Sequence, residues 1–326
     1  VLDVRDMAEC ILRSRVYAGK LLAQHRLEDV AAYTSEFQTF WKRFQEVDGE
    51  HPVYESFTGT ALGYCIPVLL HGDEGTGHRR KPVLQLSWGP MLALGSPAQS
   101  RLFLYTTCPA KLYSSYNAGV EAGNPVIDAL LEGFARSMAA AFYLGVPITV
   151  GGFSRRFHIV CVGVAGDHIF HTKVSGLEVL AGLSLRNPYL LWNMFCVVPP
   201  NLFLSSIAPP QAYRSLRHHT RRAICPQCLA DTGLTPFEDV RMSAQWTRTV
   251  GQSNPWVSTP PLHWIPGANR ASFLKFDLMH VLPYGVGHTF IASVICMLCG
   301  PLEIFHPAGG DRRKAACLRE AYTSFR

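Results

Sequence analysis

Two aspartates hold the positions where this chain is best placed to do chemistry. Asp73 follows an apolar run and sits in His71-Gly72-Asp73-Glu74-Gly75; Asp167 follows another, in Gly166-Asp167, 94 positions later (167 − 73). A carboxylate at the point where a buried strand releases the chain is held by the sheet yet open to solvent and to an ion. If the two strands are neighbours, both carboxylates converge at one edge. Phosphoryl transfer on Mg²⁺ or Mn²⁺ needs such an edge, with ions about 4 Å apart clamping the attacking and leaving oxygens. The ordinary alternative is a pair of turn acids, which strand ends beside glycine favour anyway.

Further groups have ligand-like spacing. Cys225-Pro226-Gln227-Cys228 has the Cys-x₂-Cys interval that lets two thiolates share one Zn²⁺, with His218, His219, His263 or His280 available to complete the set. Two thiols in a turn is the plainer account. Phe276-Asp277-Leu278-Met279-His280 places an acid and an imidazole at i and i+3, on one face if a helix begins there; an N-cap Asp with a nearby His explains the same spacing. Cys296 and Cys299 lie in an apolar run and read as buried helical thiols. Arg79, Arg80 and Lys81 near the first acid, and Arg214, Arg217, Arg221 and Arg222 before the cysteine pair, are candidates for phosphate contacts, or else solvated charge runs.

The elements that must position these groups follow from periodicity. Residues 3–48 read as helices, with Ile11, Leu12, Val16, Leu21 and Leu22 near helical spacing. Ser35 is the expected N-cap of a second helix whose stripe of Phe37, Phe40, Trp41 and Phe44 reads as core packing. Leu62–Leu70, Pro82–Trp88 and Arg101–Thr106 read as three strands of an antiparallel meander. Pro125–Tyr143 reads as a long helix with Ile127, Leu130, Leu131, Phe134, Met138 and Phe142 on one side. Phe157–Val164 is almost wholly apolar and is expected to be a central strand, beside the first and buried on both faces. Three strands, a helix and a strand make an α+β order; a doubly wound fold would alternate from the start. Residues 184–270, with Pro199-Pro200, Pro209-Pro210 and Pro260-Pro261, read as a loop-rich insertion that lacks a core of its own. Residues 286–299 and 311–324 read as helices. The expected divisions are a helical region (1–58), a sheet-bearing core (59–183), the insertion (184–270) and a C-terminal helical part of the core (271–326).

Composition bounds the partners. Hydrophobic residues make up 48% of the 326 and charged residues 17%, enough apolar surface for a sizeable core. The net charge of +6 suits a polyanionic partner without demanding one. Scattered cysteines point to reduced thiols, and hence to the nucleus or cytoplasm. No run of about 18 apolar residues suggests a membrane span, and no leader precedes the helical opening at Val1, which reads as the start of a segment from a longer product.

Taken in order, "HGDEG", "GDHIFHTKVSG", "CPQCLAD" and "FDLMH…GVG" resemble the catalytic core of the DDE-type DNA transposases, closest to the CACTA-like branch, over roughly residues 60–290. The resemblance implies an RNase H-like mixed sheet flanked by helices, with a zinc-binding insertion. It implies Asp73 and Asp167 as catalytic acids on Mg²⁺ (or Mn²⁺), Cys225, Cys228, Asp277 and His280 as metal-site residues, and Zn²⁺ as a structural ion. Arg79, Arg80, Lys81, Arg217, Arg221 and Arg222 would face DNA at the element ends. A homo-oligomer and no membrane partner go with it. The third acid, a Glu on a later helix in that family, has no match here and is expected beyond Arg326, which leaves this segment catalytically incomplete. The alternative is a zinc-stabilised nucleic-acid-binding descendant of a transposase without catalysis; an unrelated nuclease or phosphatase built on the same two aspartates is a further one.

Overall fold

The computed structural model describes residues 2–76, 81–93, 102–116, 124–166, 170–171, 228, 235, 239, 241–250, 260–276 and 294. The chain divides into two compact units, one of residues 1–181 and 221–276, the other of residues 182–220 and 277–326. All the architecture below belongs to the first.

Four helices open it: α1 (Val4–Arg13), α2 (Ala18–Leu21), α3 (Val30–Val47) and α4 (Val53–Ser56). Asp3 caps α1, accepting from the Arg5 and Asp6 amides, while its second oxygen takes the Ser137 hydroxyl at 2.8 Å. The α3 N-cap position is Asp29, so Ser35, expected to start that helix, lies a turn and a half inside it; its carbonyl accepts the Thr39 hydroxyl instead. The β-branched and small residues at the start of α3 hide the boundary, since only the later aromatic stripe has a clear period. That stripe is core, as expected. Phe37 and Trp41 are fully buried, and the Trp41 indole N–H donates to the Cys65 carbonyl at 2.8 Å, fixing the helix to the strand that follows.

The strands β1 (Cys65–Thr76), β2 (Pro82–Pro90), β3 (Phe103–Pro109), β4 (Val146–Val150), β5 (Phe153–Gly166) and β6 (Leu274–Phe276) form one mixed six-stranded sheet. Its order is β3-β2-β1-β5-β4, with β6 also paired to β5. The four strands expected from the sequence therefore share one sheet. β1–β3 are the antiparallel meander, and β5 lies parallel to β1. A short helix α5 (Ala110–Ser114) and the long α6 (Pro125–Tyr143) connect β3 to β4. In α6, Asn124 Oδ1 accepts from the Val126 and Ile127 amides and Pro125 takes the first turn, where its missing N–H costs nothing. Ile127, Leu131, Phe134, Met138 and Phe142 are buried.

Two strands were not legible. β4 hides in a continuous apolar stretch containing Pro147, which an edge position tolerates. Gly151 and Gly152, at φ of +55° and +85°, make the two-residue turn joining it to β5. This hairpin closes α6, because Arg156 donates to Leu144 O, Arg5 to Gly145 O, and His158 Nδ1 binds Phe142 O at 2.7 Å. β6 is too short for a period to show, and Phe276, where a helix start was one reading, ends a strand.

Leu262, Ile265 and Ala268 belong to the main core, Trp264 takes the Arg136 guanidinium over its ring at 4.3 Å, and Arg270 pairs with Asp48. Residues 260–270 are thus held by the same core as the sheet. Among the described residues no helix is long and apolar enough to cross a membrane.

Candidate functional site

Asp73 lies inside β1, not at its end. β1 continues to Thr76 because β2 pairs with it along the whole length, and Asp73 stands opposite Gln85. The apolar pattern stops at His71 because the face bearing Asp73 turns to solvent there. Asp73 is exposed, as are Gln85 and its partner across the next ladder, Thr107. Glu74, one residue on and facing the other side, is half-buried and accepts the Tyr113 hydroxyl from α5.

The parallel ladders fix a rung two residues before Asp73. His71 pairs with Ala165 of β5, and Ala165 pairs with Lys275 of β6, so the three residues form one rung across three parallel strands. Lower down, Val68 pairs with Cys161, but Leu70 pairs with Val164: β5 carries one extra residue. This bulge advances β5 by one position relative to β1. The Cys161 thiol spans the bulge to Gly163 O, and the Lys275 side chain crosses Gly163, where a Cβ would come within 2.8 Å of the Lys275 Cγ.

Phe170 sits over the two glycines that precede the two acids. A Cβ built on Gly72 would stand 1.8 Å from its ring, and one on Gly166 would stand 2.2 Å from it and 2.9 Å from the Gly72 carbonyl oxygen. Both positions are therefore glycine for want of room, not for backbone freedom. Beside it, His171 is fully buried and its Nε2 lies 3.0 Å from the Lys275 carbonyl oxygen, so Nε2 carries the proton and donates. Sequence inspection passed over Phe170 and His171 because an apolar residue and a histidine after an acid have no spacing signature. The available signal was the Gly-Asp pair repeated after two apolar runs.

Charge accumulates on the far side of β6. Asp48 and Arg270 form a largely buried pair, with a 2.9 Å bond from Arg270 Nη2 to Asp48 Oδ2; burial raises the Asp48 carboxyl even so. Burial also holds the Lys275 ammonium below its ordinary range. The neighbouring His51 is buried, pushed down to about 4, first by burial and then by the Arg270 charge.

Of the other expected site residues, Lys81 is exposed just before β2, Cys228 is buried, and His263 is half-buried with burial lowering its imidazole. Asp167, Cys225, Asp277, His280, Arg79, Arg80, Arg217, Arg221 and Arg222 lie outside the described residues. Among the described residues no three His, Cys, Asp or Glu side chains gather in a way that could hold a metal. Comparison with family models, curated proteins and solved structures gives no match to this chain.

Proposed function

We propose that this chain carries an RNase H-like core of the DDE transposase type, whose chemistry is divalent-metal-dependent cleavage and transfer of DNA strands. One observation carries the proposal. Asp73, Asp167 and Asp277 each follow by two residues a member of the single rung His71–Ala165–Lys275. The strand order supports the same reading in part: an antiparallel meander, then a helix, then an edge strand whose hairpin partner lies parallel to the first strand.

The donor set suits the ion. Carboxylate oxygens are the ligands magnesium and manganese prefer, and Asp73 is exposed and free of side-chain hydrogen bonds among the described residues. Bound there, the ions would supply activation of water or a 3′-hydroxyl and neutralisation of the leaving 3′-oxygen. The chain does the rest. Asp73 and Asp167 would hold the ions. Lys81, with Arg79, Arg80, Arg217, Arg221 and Arg222, contacts phosphates and fixes the register of DNA at the element ends. Cys225 and Cys228, with His280, bind a structural Zn²⁺ apart from the reaction. We read the chain as acting in the nucleus or cytoplasm, as a homo-oligomer on its DNA.

The test is incubation of supercoiled DNA with the protein and Mn²⁺ or Mg²⁺. Metal-dependent nicking that Asp73→Asn and Asp167→Asn both abolish supports the proposal. DNA binding without any nicking would instead favour the zinc-stabilised binding protein, and absence of both would end it.

A further inference from the structure

We propose that Arg5 and Arg156 form an anchoring site for DNA backbone phosphates at the β4–β5 hairpin, remote from Asp73; the choice of DNA rests on the reading above. Both side chains close on Leu144 and Gly145, just past the end of α6. Arg5 Nε donates to the Gly145 carbonyl at 3.0 Å, and Arg156 Nη1 donates to the Leu144 carbonyl at 2.8 Å. The Arg156 stem lies over Gly145, where a Cβ would stand 2.8 Å from its Cγ. Arg5 is half-buried and Arg156 is exposed. Each guanidinium is thus held in place by one N–H and keeps the rest of its planar fork, the donor set that fits a phosphate.

No carboxylate answers these charges. Residues 133–166 contain no Asp or Glu. On α1, Asp3 is spent on the helix cap and the Ser137 hydroxyl, and Glu9 pairs with Arg13. Asp6 is exposed, and among the described residues neither arginine forms an ion pair. Closing the helix does not require the two cations. Phe142 O, in the last turn, has His158 Nδ1 at 2.7 Å, and burial, with the Arg156 charge adding to it, holds that imidazole below its ordinary range. Leu144 and Gly145 lie beyond the turn, and Leu144 is 54% exposed, so water could serve its carbonyl. Fixed cations without an acid take their counter-charge from outside the chain, and arginine binds phosphate through paired N–H donors. The place is not the edge that carries Asp73. β5 pairs His158 with Cys65, and Asp73 stands 8 residues further along β1 (73 − 65), about 26 Å at the rise of a strand. A contact there fixes the register of DNA and reads no bases.

Fluorescence anisotropy tests this, with a labelled duplex of arbitrary sequence titrated with the full chain over a series of KCl concentrations. Arg5→Gln and Arg156→Gln should each weaken binding several-fold, equally on unrelated sequences, and each should lower the slope of log affinity against log salt by about 1. Arg156→Lys keeps the charge and should keep the slope. Arg155→Gln removes the same charge one residue away, on the opposite face of β5, where the guanidinium donates to Ser154 O; it should also keep the slope. If Arg5→Gln does not fold, Arg156→Gln, at an exposed side chain, carries the comparison. An Arg156→Gln protein that binds as the wild type does, or an Arg155→Gln protein that loses as much, overturns the site, and Mn²⁺-dependent nicking by the wild type would then leave the reading above standing. The expected loss of slope in a protein that nicks no DNA overturns the cleavage reading and leaves the site. A wild type that binds no duplex overturns both.

Discussion

Gly72 and Phe170 exclude any other pairing at their positions: a Cβ on the first would stand 1.8 Å from the ring of the second. Real Cβ atoms do not come that close, so Gly72→Ala must displace the ring or part β1 from β5. The expected loss is about 3 kcal/mol, at the upper end for overpacking a well-filled core. The double variant Gly72→Ala/Phe170→Leu should recover part of it, because contacting sites are not additive. Urea unfolding of the four proteins in that cycle gives the coupling; strict additivity would mean that the two residues do not meet.

Trp41 and Cys65 tie α3 to the sheet through one bond between a buried donor and a buried carbonyl. Trp41→Phe keeps most of the ring and removes the N–H, leaving the Cys65 carbonyl short of a partner. A loss of about 1–3 kcal/mol is expected, read as a fall in the urea midpoint with an unchanged slope. No change in midpoint would show that the aromatic packing alone holds the helix.

His51 gives a pH dependence with a definite sign. Its Nδ1 accepts the Val53 amide, and its Nε2 has no hydrogen-bond partner among the described residues. Burial first, and then the charges of Arg270 and Lys275, lower it to about 4. The unfolded imidazole binds a proton near pH 6.5, and the folded one does not until about pH 4. Stability from this group is therefore complete above pH 6.5 and is lost as pH falls toward 4, by about 3 kcal/mol in all. The slope of unfolding free energy between pH 6.5 and 4 should shrink in His51→Leu. An unchanged slope would place the acid sensitivity elsewhere.

Much of the architecture could be read from the sequence, for reasons that particular elements make plain. α6 carries its own punctuation, Asn124 and Pro125 at the start and a buried apolar face running from Ile127 to Phe142. β5 announces itself by an apolar run too long for a loop, and its place beside β1 follows from needing cover on both faces. The ends were harder. Asp73 was expected at a strand terminus, yet the β1–β2 ladder carries the strand three residues past it, and polar residues on an exposed strand end look like a turn. β6 and residues 260–268 escaped because their order comes from contacts with α6 and β5, distant in sequence, rather than from any local period.

The candidate site was half legible. The two Gly-Asp pairs stand out after apolar runs, but a glycine beside an acid reads as a turn residue. Their cause is Phe170, a side chain whose meaning depends on three strands meeting. The β5 bulge that shifts its register against β1 leaves no trace in composition, since an extra residue in an apolar strand is one more apolar residue.

The central claim is that Asp73 and Asp167 share an ion, and thermal melting with and without Mg²⁺ tests it most directly. Wild type should gain stability with millimolar Mg²⁺, by the mass action of an ion that binds only the folded chain. Asp167→Asn should lose that gain, and without metal it should melt higher than wild type, since one of two repelling carboxylates is gone. An Asp167→Asn protein that melts at or below the wild-type temperature without metal and gains as much from Mg²⁺ would contradict the claim.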